Sequence, residues 1–309
     1  MSLDRLRASA RDFATAPGSL TTRDFHPSAQ SAKAVQAPSA KEVGEFYDRN
    51  GRVLTDIFAG SMHLGYWLGP DDDSDLKAAT ERLTEIMIIK LRVGAGDTVL
   101  DLGCGTGKPA VRLAKTTGAR VVGVSVSTED VAQATALARA EGVADLVDFR
   151  VADAMDLPFE AGSFDAVLAL GSILHILDRT HVLKQVARVL RPGGRLVLTD
   201  AIKRGNEEED EMAVAILTEV LDAWRQASPV RASDYWRFGR GAGLVIDEII
   251  DITEHTKYTY RKIYAEMDAY GELPPDMVRI HDHGEGVDWV EVENGPQPDG
   301  MMIVAAHRP

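Results

Sequence analysis

One stretch, residues 98–115, constrains the fold of this chain more than any other. It reads T-V-L-D-L-G-C-G-T-G-K-P-A-V-R-L-A-K, so a short apolar run breaks into alternating glycines before a helical pattern begins. Pro109 suits the first turn of a helix, where a backbone N–H is not needed. The stretch therefore predicts a strand, a glycine turn and a helix in direct succession.

The glycine turn predicts a binding site. Gly103, Gly105 and Gly107 can adopt positive φ and let a ligand approach the backbone with no Cβ in the way. The unpaired N–H groups of the following helix face the same loop. We therefore expect a ligand that presents an anionic or hydrogen-bond-accepting group.

Two common nucleotide loops do not fit this turn. A P-loop needs Ser or Thr after its Lys, but Pro109 follows Lys108, and Leu102 stands where the first glycine of a P-loop would be. A dinucleotide fingerprint needs Gly or Ala where Lys108 stands. The pattern that remains is D-x-G-x-G-x-G after a strand, with Asp101 as its acid.

This pattern resembles motif I of the class I S-adenosylmethionine (SAM) dependent methyltransferases of the natural-product type. The resemblance extends over about residues 42–201 and includes V-A-D-A-M-D-L-P-F at 151–159 and L-R-P-G-G at 190–194. It implies SAM as the cofactor and S-adenosylhomocysteine as its product. It also implies an α/β, Rossmann-like sheet of seven strands in the order 3-2-1-4-5-7-6, with strand 7 antiparallel and helices on both faces.

Hydrophobic patterning independently predicts alternating strands and helices, which is typical of a parallel sheet covered on both faces. We predict strands at 98–102, 120–125, 147–151, 164–170, 195–200, 245–252 and 301–306, and helices at 76–91, 109–116, 129–141, 179–190 and 258–269. Right-handed crossovers then place the functional loops at the carboxyl ends of the parallel strands.

The chain divides into three predicted regions. Residues 1–40 are a mobile leader or a segment that docks on a neighbouring subunit. Residues 41–92 form a helical cap, with one helix through Phe46 and Tyr47 and a second, short helix from Val53 to Phe58. Residues 93–309 form the SAM-binding core, with a lid insertion at about 205–240 that does not fit the alternation.

Composition excludes several partners. A net charge of −14 and a pI near 5.0 argue against nucleic acid, whose binding depends on cationic contacts to phosphate. The single cysteine, Cys104, excludes an internal disulfide. No stretch approaches the roughly 20 apolar residues of a membrane span. We therefore expect a cytoplasmic protein with a small-molecule substrate. We also expect a homo-oligomer, with the N-terminal segment as the candidate contact between subunits.

The resemblance implies which residues bind SAM. Asp153 accepts from the adenine N6 amine, and the backbone N–H of Ala154 donates to N1. Ser125 stands where the family usually has an acid for the ribose hydroxyls, and Gln133 assists it. The remaining implied residues surround the methionine end: Gly103, Gly105 and Gly107 through their backbone, Asp101 near the amino group, the Leu170 carbonyl, and Tyr47, His63 and Gly65 from the cap.

The chemistry at the methyl group leaves alternatives open. Methyl transfer is an in-line displacement, and an oxygen acceptor usually needs a base. The resemblance implies His175 as that base, with Asp200 orienting it, and Tyr47 of the cap is a further catalytic candidate. Sugar O-methyltransferases of this type carry a second histidine where Leu174 stands, so we favour C- or N-methylation of an apolar terpenoid or alkaloid in secondary, antibiotic-type metabolism.

Three further predictions concern aromatic side chains that could stabilise a carbocation, a metal site, and alternative functions. A carbocation formed in C-methylation would be stabilised by aromatic faces, and the candidates are Tyr47, Trp67, Tyr235, Trp236 and Tyr258. The sequence His281-Asp282-His283 has too short a spacing for a metal site, so we predict no metal. O-methylation with His175 as base and a non-catalytic scaffold with the SAM fold are kept as alternatives.

Overall fold

The computed structural model describes residues 38–204 and 218–309. These residues contain one seven-stranded sheet in the order β3-β2-β1-β4-β5-β7-β6. Its strands are β1 Thr98–Leu102, β2 Arg120–Ser125, β3 Val147–Val151, β4 Phe164–Ala169, β5 Leu190–Lys203, β6 Val245–Asp251 and β7 Asp299–His307. Strands β1 to β5 pair in parallel, and β7 is antiparallel to both β5 and β6. The predicted fold class and strand order are confirmed.

Helices cover the sheet and build the cap. They are α1 Ala40–Ile57, α2 Leu76–Leu91, α3 Lys108–Thr117, α4 Thr128–Ala140, α5 Arg179–Val189, α6 Asp234–Ala242, α7 Thr253–Thr256, α8 Thr259–Ala269, α9 Pro275–Asp282 and α10 Trp289–Asn294. A 3₁₀ turn, Ile173–His175, follows β4. Residues 218–223 are also helical.

The two faces of the sheet bury separate apolar clusters, because successive strand residues point to opposite sides. Val99 of β1 packs into a cluster with Leu83 and Met87 of α2. Leu100, the next residue, packs into the opposite cluster with Val182 and Leu183 of α5. Both faces of β1 are therefore buried, and its carboxyl end is the part that can serve a ligand.

Strand β5 is longer than predicted at both ends. Leu190 already pairs with Phe164 across an irregularity in the β4–β5 ladder. At the other end, the ladder with β7 continues as far as Lys203 opposite Asp299. The extension comes from pairing with a distant strand, which local patterning does not detect.

The cap contains one long helix where two short ones were predicted. Helix α1 begins with a capping box between Ser39 and Glu42 and continues without a break to Ile57. A Cβ on Gly44 would lie 2.8 Å from the Val126 carbonyl oxygen, and one on Gly51 would lie 3.5 Å from Oδ1 of Asp130. Gly44 therefore lets α1 lie close to the β2–α4 loop, whereas at Gly51 a side chain would only touch α4 at an ordinary contact distance.

Helix α1 is also fixed on its other side. Phe46, Leu54 and Ile57 belong to a buried cluster with residues of α8 and α9, and Asn50 donates to Asp276 of α9 at 3.0 Å. This packing holds the cap over the carboxyl ends of β1 and β2.

Some predictions fall outside the described part of the chain. Residues 1–37 and 205–217 are not described, so the leader and most of the predicted lid insertion stay predictions, as does the division into regions. Within 38–204 and 218–309, no helix is long and apolar enough to cross a membrane.

Candidate active site

A cavity of about 380 Å³ lies at the carboxyl ends of the parallel strands, and we call it the strand-end cavity. This volume is within the range of small-molecule sites. Its walls come from the glycine loop, the ends of β2 to β4 and helix α1. The lining residues used below are Tyr47, Met62, Gly103, Gly105, Ser125, Asp130, Asp153, Ala154, Leu170, Gly171 and His175.

The glycine loop has the backbone that the sequence predicts. Gly103, Gly105 and Gly107 have φ values of 78°, 48° and 83°. A Cβ on Gly103 would lie 2.2 Å from the Cβ of Ser172, so no larger residue fits there. The loop thus passes close to the β4 turn and exposes its backbone to the strand-end cavity.

Two side chains of this loop hold the cap. Lys108 donates to the Ala59 carbonyl at 2.6 Å, and the Thr106 hydroxyl donates to the Gly60 carbonyl at 3.2 Å. Ala59 and Gly60 lie in the turn after helix α1 and have positive φ values of 50° and 90°. The lysine that excluded a dinucleotide fingerprint therefore connects the glycine loop to the cap.

Asp101 lies behind the glycine loop. Its side chain is 1% exposed, and its Oδ2 atom has no hydrogen-bond partner among the described residues. Burial raises its pKa to about 7. It is not one of the lining residues of the strand-end cavity, so the predicted approach to the amino group of the cofactor would need the loop between them to adjust.

Asp130 is an acidic group of the site that the sequence reasoning missed. The Ser125 hydroxyl donates to its Oδ2 at 3.2 Å, while its buried Oδ1 has no hydrogen-bond partner among the described residues. Burial raises the pKa of Asp130 to about 6, with nearby Asp48 adding to the rise. A buried carboxylate oxygen beside a cavity is a ready acceptor for ligand hydroxyls.

Gln133, which was predicted to help Ser125, lies one helical turn further along α4. It does not line the strand-end cavity, and its amide donates to Glu129 at 3.2 Å. The signal for Asp130 was present, since an acid follows the end of β2 within the first turn of α4. Asp130 and Gln133 share the face of α4 that meets α1 at Gly51, but only Asp130, at the start of the helix, reaches the Ser125 hydroxyl.

Asp153 and Ala154, predicted to bind adenine, and Leu170, predicted at the methionine end, line the wall of the strand-end cavity. The backbone N–H of Met155 donates to Oδ1 of Asp153 at 2.8 Å and fixes the carboxylate. Ala154 follows Asp153 directly in the chain, so a carboxylate and the residue after it line the same wall.

A second cavity, of about 180 Å³, lies beneath the cap, and we call it the cap cavity. Its walls are mostly apolar and aromatic, and include Leu54, Phe58, Met62, Leu64, Leu83, Leu174, Val220, Leu221, Trp224, Tyr260, Ile263 and Met301. Tyr47, Met62, Gly171 and His175 line both cavities. The two cavities therefore meet at these four residues.

His175 is held in one tautomer at this junction. Its Nδ1 lies 2.6 Å from the Arg225 carbonyl oxygen, which can only accept, so Nδ1 carries the proton. Nε2 is then a lone pair, and the Tyr47 hydroxyl donates to it at 3.1 Å. Burial lowers the pKa of His175 to about 4, so the ring is neutral at pH 7.

Asp200 does not orient His175. Its carboxylate is 0% exposed, accepts from Nε and Nη2 of Arg179 at 3.1 Å each, and accepts from the Tyr235 hydroxyl at 2.7 Å. These partners occupy the acid, and the Arg225 carbonyl takes the role at Nδ1 that was predicted for Asp200. The prediction for Asp200 is wrong because the guanidinium of Arg179, the first residue of α5, reaches the end of β5 and pairs with this carboxylate.

The aromatic set predicted around a cation is largely elsewhere. Of Tyr47, Trp67, Tyr235, Trp236 and Tyr258, only Tyr47 lines either cavity. Trp67 is buried and donates to the Ser74 carbonyl at 3.1 Å. Phe58, Trp224 and Tyr260 line the cap cavity instead.

The predicted turn around His63 and Gly65 is only partly at the site. His63 lines the cap cavity, but both of its ring nitrogens have partners, the Leu64 carbonyl at 2.9 Å and the Thr84 hydroxyl at 3.1 Å. Burial lowers its pKa to about 4. Gly65 lines neither cavity, and a Cβ there would lie 2.6 Å from the Trp67 ring.

The sequence His281-Asp282-His283 closes helix α9 and the turn after it. His281 contacts Asp268 at 2.7 Å. In the described ranges, no group of three or more His, Cys, Asp or Glu side chains is arranged to hold a metal ion.

Comparison with known proteins agrees with this geometry. The chain is 40% identical to methyltransferase GfsG of Streptomyces halstedii over 270 residues, which are 87% of this chain and 95% of that relative. It belongs to the class I SAM-dependent methyltransferases of the natural-product type. The methyltransferase is an enzyme, and SAM is its cofactor.

Other relatives support the same family. The 27-O-demethylrifamycin SV methyltransferase of Amycolatopsis mediterranei is 38% identical over 229 residues, 73% of this chain and 81% of that protein. A methyltransferase domain profile matches residues 100–198. The crystal structure of the [4+2]-cyclase SpnF is similar with a TM-score of 0.76 at 28% identity, covering 90% of this chain and 99% of that one.

The residues of the strand-end cavity fit SAM on two observations. The buried Oδ1 of Asp130 lacks a partner that a ribose hydroxyl can supply. Gly103 and Gly105 of the glycine loop line the same cavity, and neither carries a side chain that would cover its backbone there.

Proposed function

We propose that this methyltransferase methylates a hydroxyl oxygen of a largely apolar natural product, and that His175 takes the proton. The observation that carries the proposal is the lone pair of His175 Nε2, fixed at the junction of the two cavities. A hydroxyl must lose its proton as it attacks, whereas an alkene or an uncharged amine attacks first and loses a proton only afterwards. A fixed lone pair beside the acceptor therefore suits an oxygen nucleophile best. The geometry supports the O-methylation alternative better than the C- or N-methylation that we favoured from the sequence.

The strand-end cavity would hold the cofactor through residues from four strand ends. Asp153 and Ala154 would bind adenine, Asp130 and Ser125 the ribose, and the glycine loop with the Leu170 carbonyl the methionine end. When bound, SAM supplies an electrophilic methyl group. Met62 and Gly171 line both cavities, so the methyl group would face the cap cavity between them.

The cap cavity would hold the acceptor. Its apolar wall favours a hydrocarbon or polyketide-like body through the burial of apolar surface. The acceptor hydroxyl would lie against Nε2 of His175, which receives its proton while Nδ1–H stays on the Arg225 carbonyl. Excluding water through Phe58, Trp224 and Leu174 would protect the reaction from competing proton transfers.

Relatives support oxygen as the acceptor atom. The name of the rifamycin enzyme specifies an O-methylation of an antibiotic, and most of the named relatives are O-methyltransferases. We carry over the class of acceptor, a natural-product alcohol in secondary metabolism, and no individual compound. A cytoplasmic location and self-association through residues 1–40 stay predictions, the latter checked by comparing the sedimentation of the full chain with that of a chain lacking residues 1–37.

The test uses radiolabelled SAM and a set of apolar natural-product alcohols that includes 27-O-demethylrifamycin SV. We expect transfer of label to oxygen, shown by mass spectrometry and NMR of the product. His175→Ala should lower the rate by about 10²-fold or more while leaving SAM affinity, measured by calorimetry, unchanged. His307→Ala is the matched control, because His307 lies at the end of β7 beside Asp247 and lines neither cavity.

Three outcomes would contradict the proposal. Label found on carbon or nitrogen would exclude O-methylation. An undiminished rate in His175→Ala would remove the base. Failure to bind SAM at millimolar concentration would remove the cofactor role of the strand-end cavity.

A further inference from the structure

The turn formed by residues 224–227 touches the 3₁₀ turn that carries His175. The Arg225 carbonyl accepts from Nδ1 of His175 at 2.6 Å, and the backbone N–H of Ala227 donates to the Leu174 carbonyl at 2.8 Å. Two adjacent residues of the 3₁₀ turn are therefore tied to the 224–227 turn by separate hydrogen bonds. The position and tautomer of the imidazole depend on a segment some fifty residues further along the chain.

The backbone of Arg225 is in the left-handed region, with φ at 55°. This conformation is uncommon for residues other than glycine, because their Cβ atom crowds the carbonyl oxygen. At this position it ends the helical residues 218–223: the N–H of Arg225 donates to the Asp222 carbonyl at 3.1 Å, and that of Gln226 donates to the Leu221 carbonyl at 2.7 Å. The reversal turns the Arg225 carbonyl out of the helix and toward His175.

The same segment forms part of the acceptor wall. Leu221, Trp224 and Gln226 line the cap cavity on either side of Arg225 in sequence. A displacement of this wall would therefore also displace the carbonyl at Nδ1. The acceptor pocket and the proposed base share one structural support.

We propose that Arg225 is a positioning residue whose left-handed backbone aims the carbonyl that keeps the proton on Nδ1 of His175 and the lone pair on Nε2. This inference rests on the proposed function, in which Nε2 is the base. The contribution is made by the main chain, so the identity of residue 225 matters through the conformations it allows and not through its guanidinium.

Three substitutions separate backbone from side chain. Arg225→Gly, Arg225→Ala and Arg225→Val all remove the side-chain contact with the Asp222 carbonyl at 2.9 Å. Glycine adopts positive φ freely, alanine does so less readily, and β-branched valine is strongly disfavoured there. The three variants therefore differ mainly in how well they retain the left-handed turn.

The first measurement is the tautomer of His175, determined by nitrogen NMR of histidine-labelled protein saturated with S-adenosylhomocysteine. The second is kcat. We expect Arg225→Gly to keep the Nδ1–H tautomer and the wild-type rate. Arg225→Val should give a mixture of tautomers and a kcat lower by roughly tenfold, with alanine between the two. Affinity for S-adenosylhomocysteine should be the same in all three.

Equal tautomers and rates in the glycine and valine variants would overturn the inference. If the valine variant does not fold, the same comparison between glycine and alanine decides the matter. A rate that falls equally in all three variants would assign the effect to the guanidinium and also overturn it. Failure of the proposed function is distinguishable, because it appears as full activity in His175→Ala whatever the Arg225 series gives.

Discussion

The Tyr47 hydroxyl donates to Nε2 of His175 across 3.1 Å, so the cap occupies the atom that we propose receives the acceptor's proton. An acceptor hydroxyl must either replace Tyr47 at this atom or pass its proton through the phenol. Burial raises the pKa of Tyr47 well above its usual value, which makes a phenolate relay unfavourable. Replacement is therefore the expected route.

Tyr47→Phe tests the two routes. Since phenylalanine leaves Nε2 free, we expect kcat to change by less than about threefold, which is small beside the roughly 10²-fold contribution of a proton-transfer group. Steady-state kinetics with both substrates saturating measures the change. A loss as large as that in His175→Ala would instead establish Tyr47 as a relay.

The pH dependence of kcat follows from the burial of His175. Its pKa is lowered from 6.5 to about 4, so the neutral form that can accept a proton persists to low pH. We expect kcat at saturating SAM and acceptor to stay flat from pH 8 to about 5 and to fall only as the pH approaches 4. A midpoint near 6.5 would mean that the imidazole is solvated in the working enzyme.

Asp130→Asn tests the proposed ribose site. The neutral amide offers a weaker acceptor than the carboxylate, so we expect the Kd for SAM to rise about tenfold or more. In the wild type, ligand hydroxyls favour the charged form of Asp130, and affinity should weaken as the pH falls below about 6. Calorimetric titrations between pH 5 and 8 should show this slope in the wild type and lose it in the variant.

The matched control is Gln133→Ala on the same helix. Gln133 lines neither cavity, so its loss should leave SAM affinity unchanged. Should Gln133→Ala weaken binding as much as Asp130→Asn, the original assignment of Gln133 would return and that of Asp130 would fail.

Asp200→Asn should lower the stability of the protein. Any loss of activity should only reflect the smaller fraction of folded molecules. The substitution leaves the buried Arg179 charge without its partner, which typically costs about 3–5 kcal/mol of unfolding free energy. Urea denaturation measures the loss. The His175 tautomer of the folded variant should be unchanged, and a shifted tautomer would show that Asp200 orients the imidazole after all.

Asp247→Asn provides the comparison for an accessible ion pair. Asp247 lies 3.6 Å from Arg195, and both side chains are partly exposed. Solvent and salt screen such a pair, so the expected loss is below about 1 kcal/mol. The difference between the two variants then measures the effect of burial.

The residues of motif I could be predicted from the sequence, because the strand, the glycine turn and the helix follow one another directly in the chain. The strand, the positive-φ glycines and the helix start at Lys108 all lie within residues 98–117, so local rules suffice. Asp153 and Ala154 likewise follow a strand end directly. Such residues need only the alternation of strands and helices to be brought to one edge of the sheet.

What could not be predicted depends on contacts between distant segments. Helix α1 packs against the β2–α4 loop at Gly44 and against α8 and α9 through Phe46, Leu54 and Ile57. Asp200 is occupied by Arg179. Asp130 was missed because its orientation relative to Ser125 is set by the start of α4. The Arg225 carbonyl is a main-chain group and carries no side-chain signal at all.

The junction of the two cavities has a consequence for how this enzyme can be retargeted. Among the described residues, only Tyr47, Met62, Gly171 and His175 line both the strand-end cavity and the cap cavity. Phe58 and Ile263 line only the cap cavity, so we expect substitutions there to change acceptor selectivity while leaving SAM affinity unchanged. Related enzymes can therefore diverge toward different compounds through changes in the wall of the cap cavity that leave the strand-end cavity unaltered. Laboratory evolution of this enzyme can use the same changes.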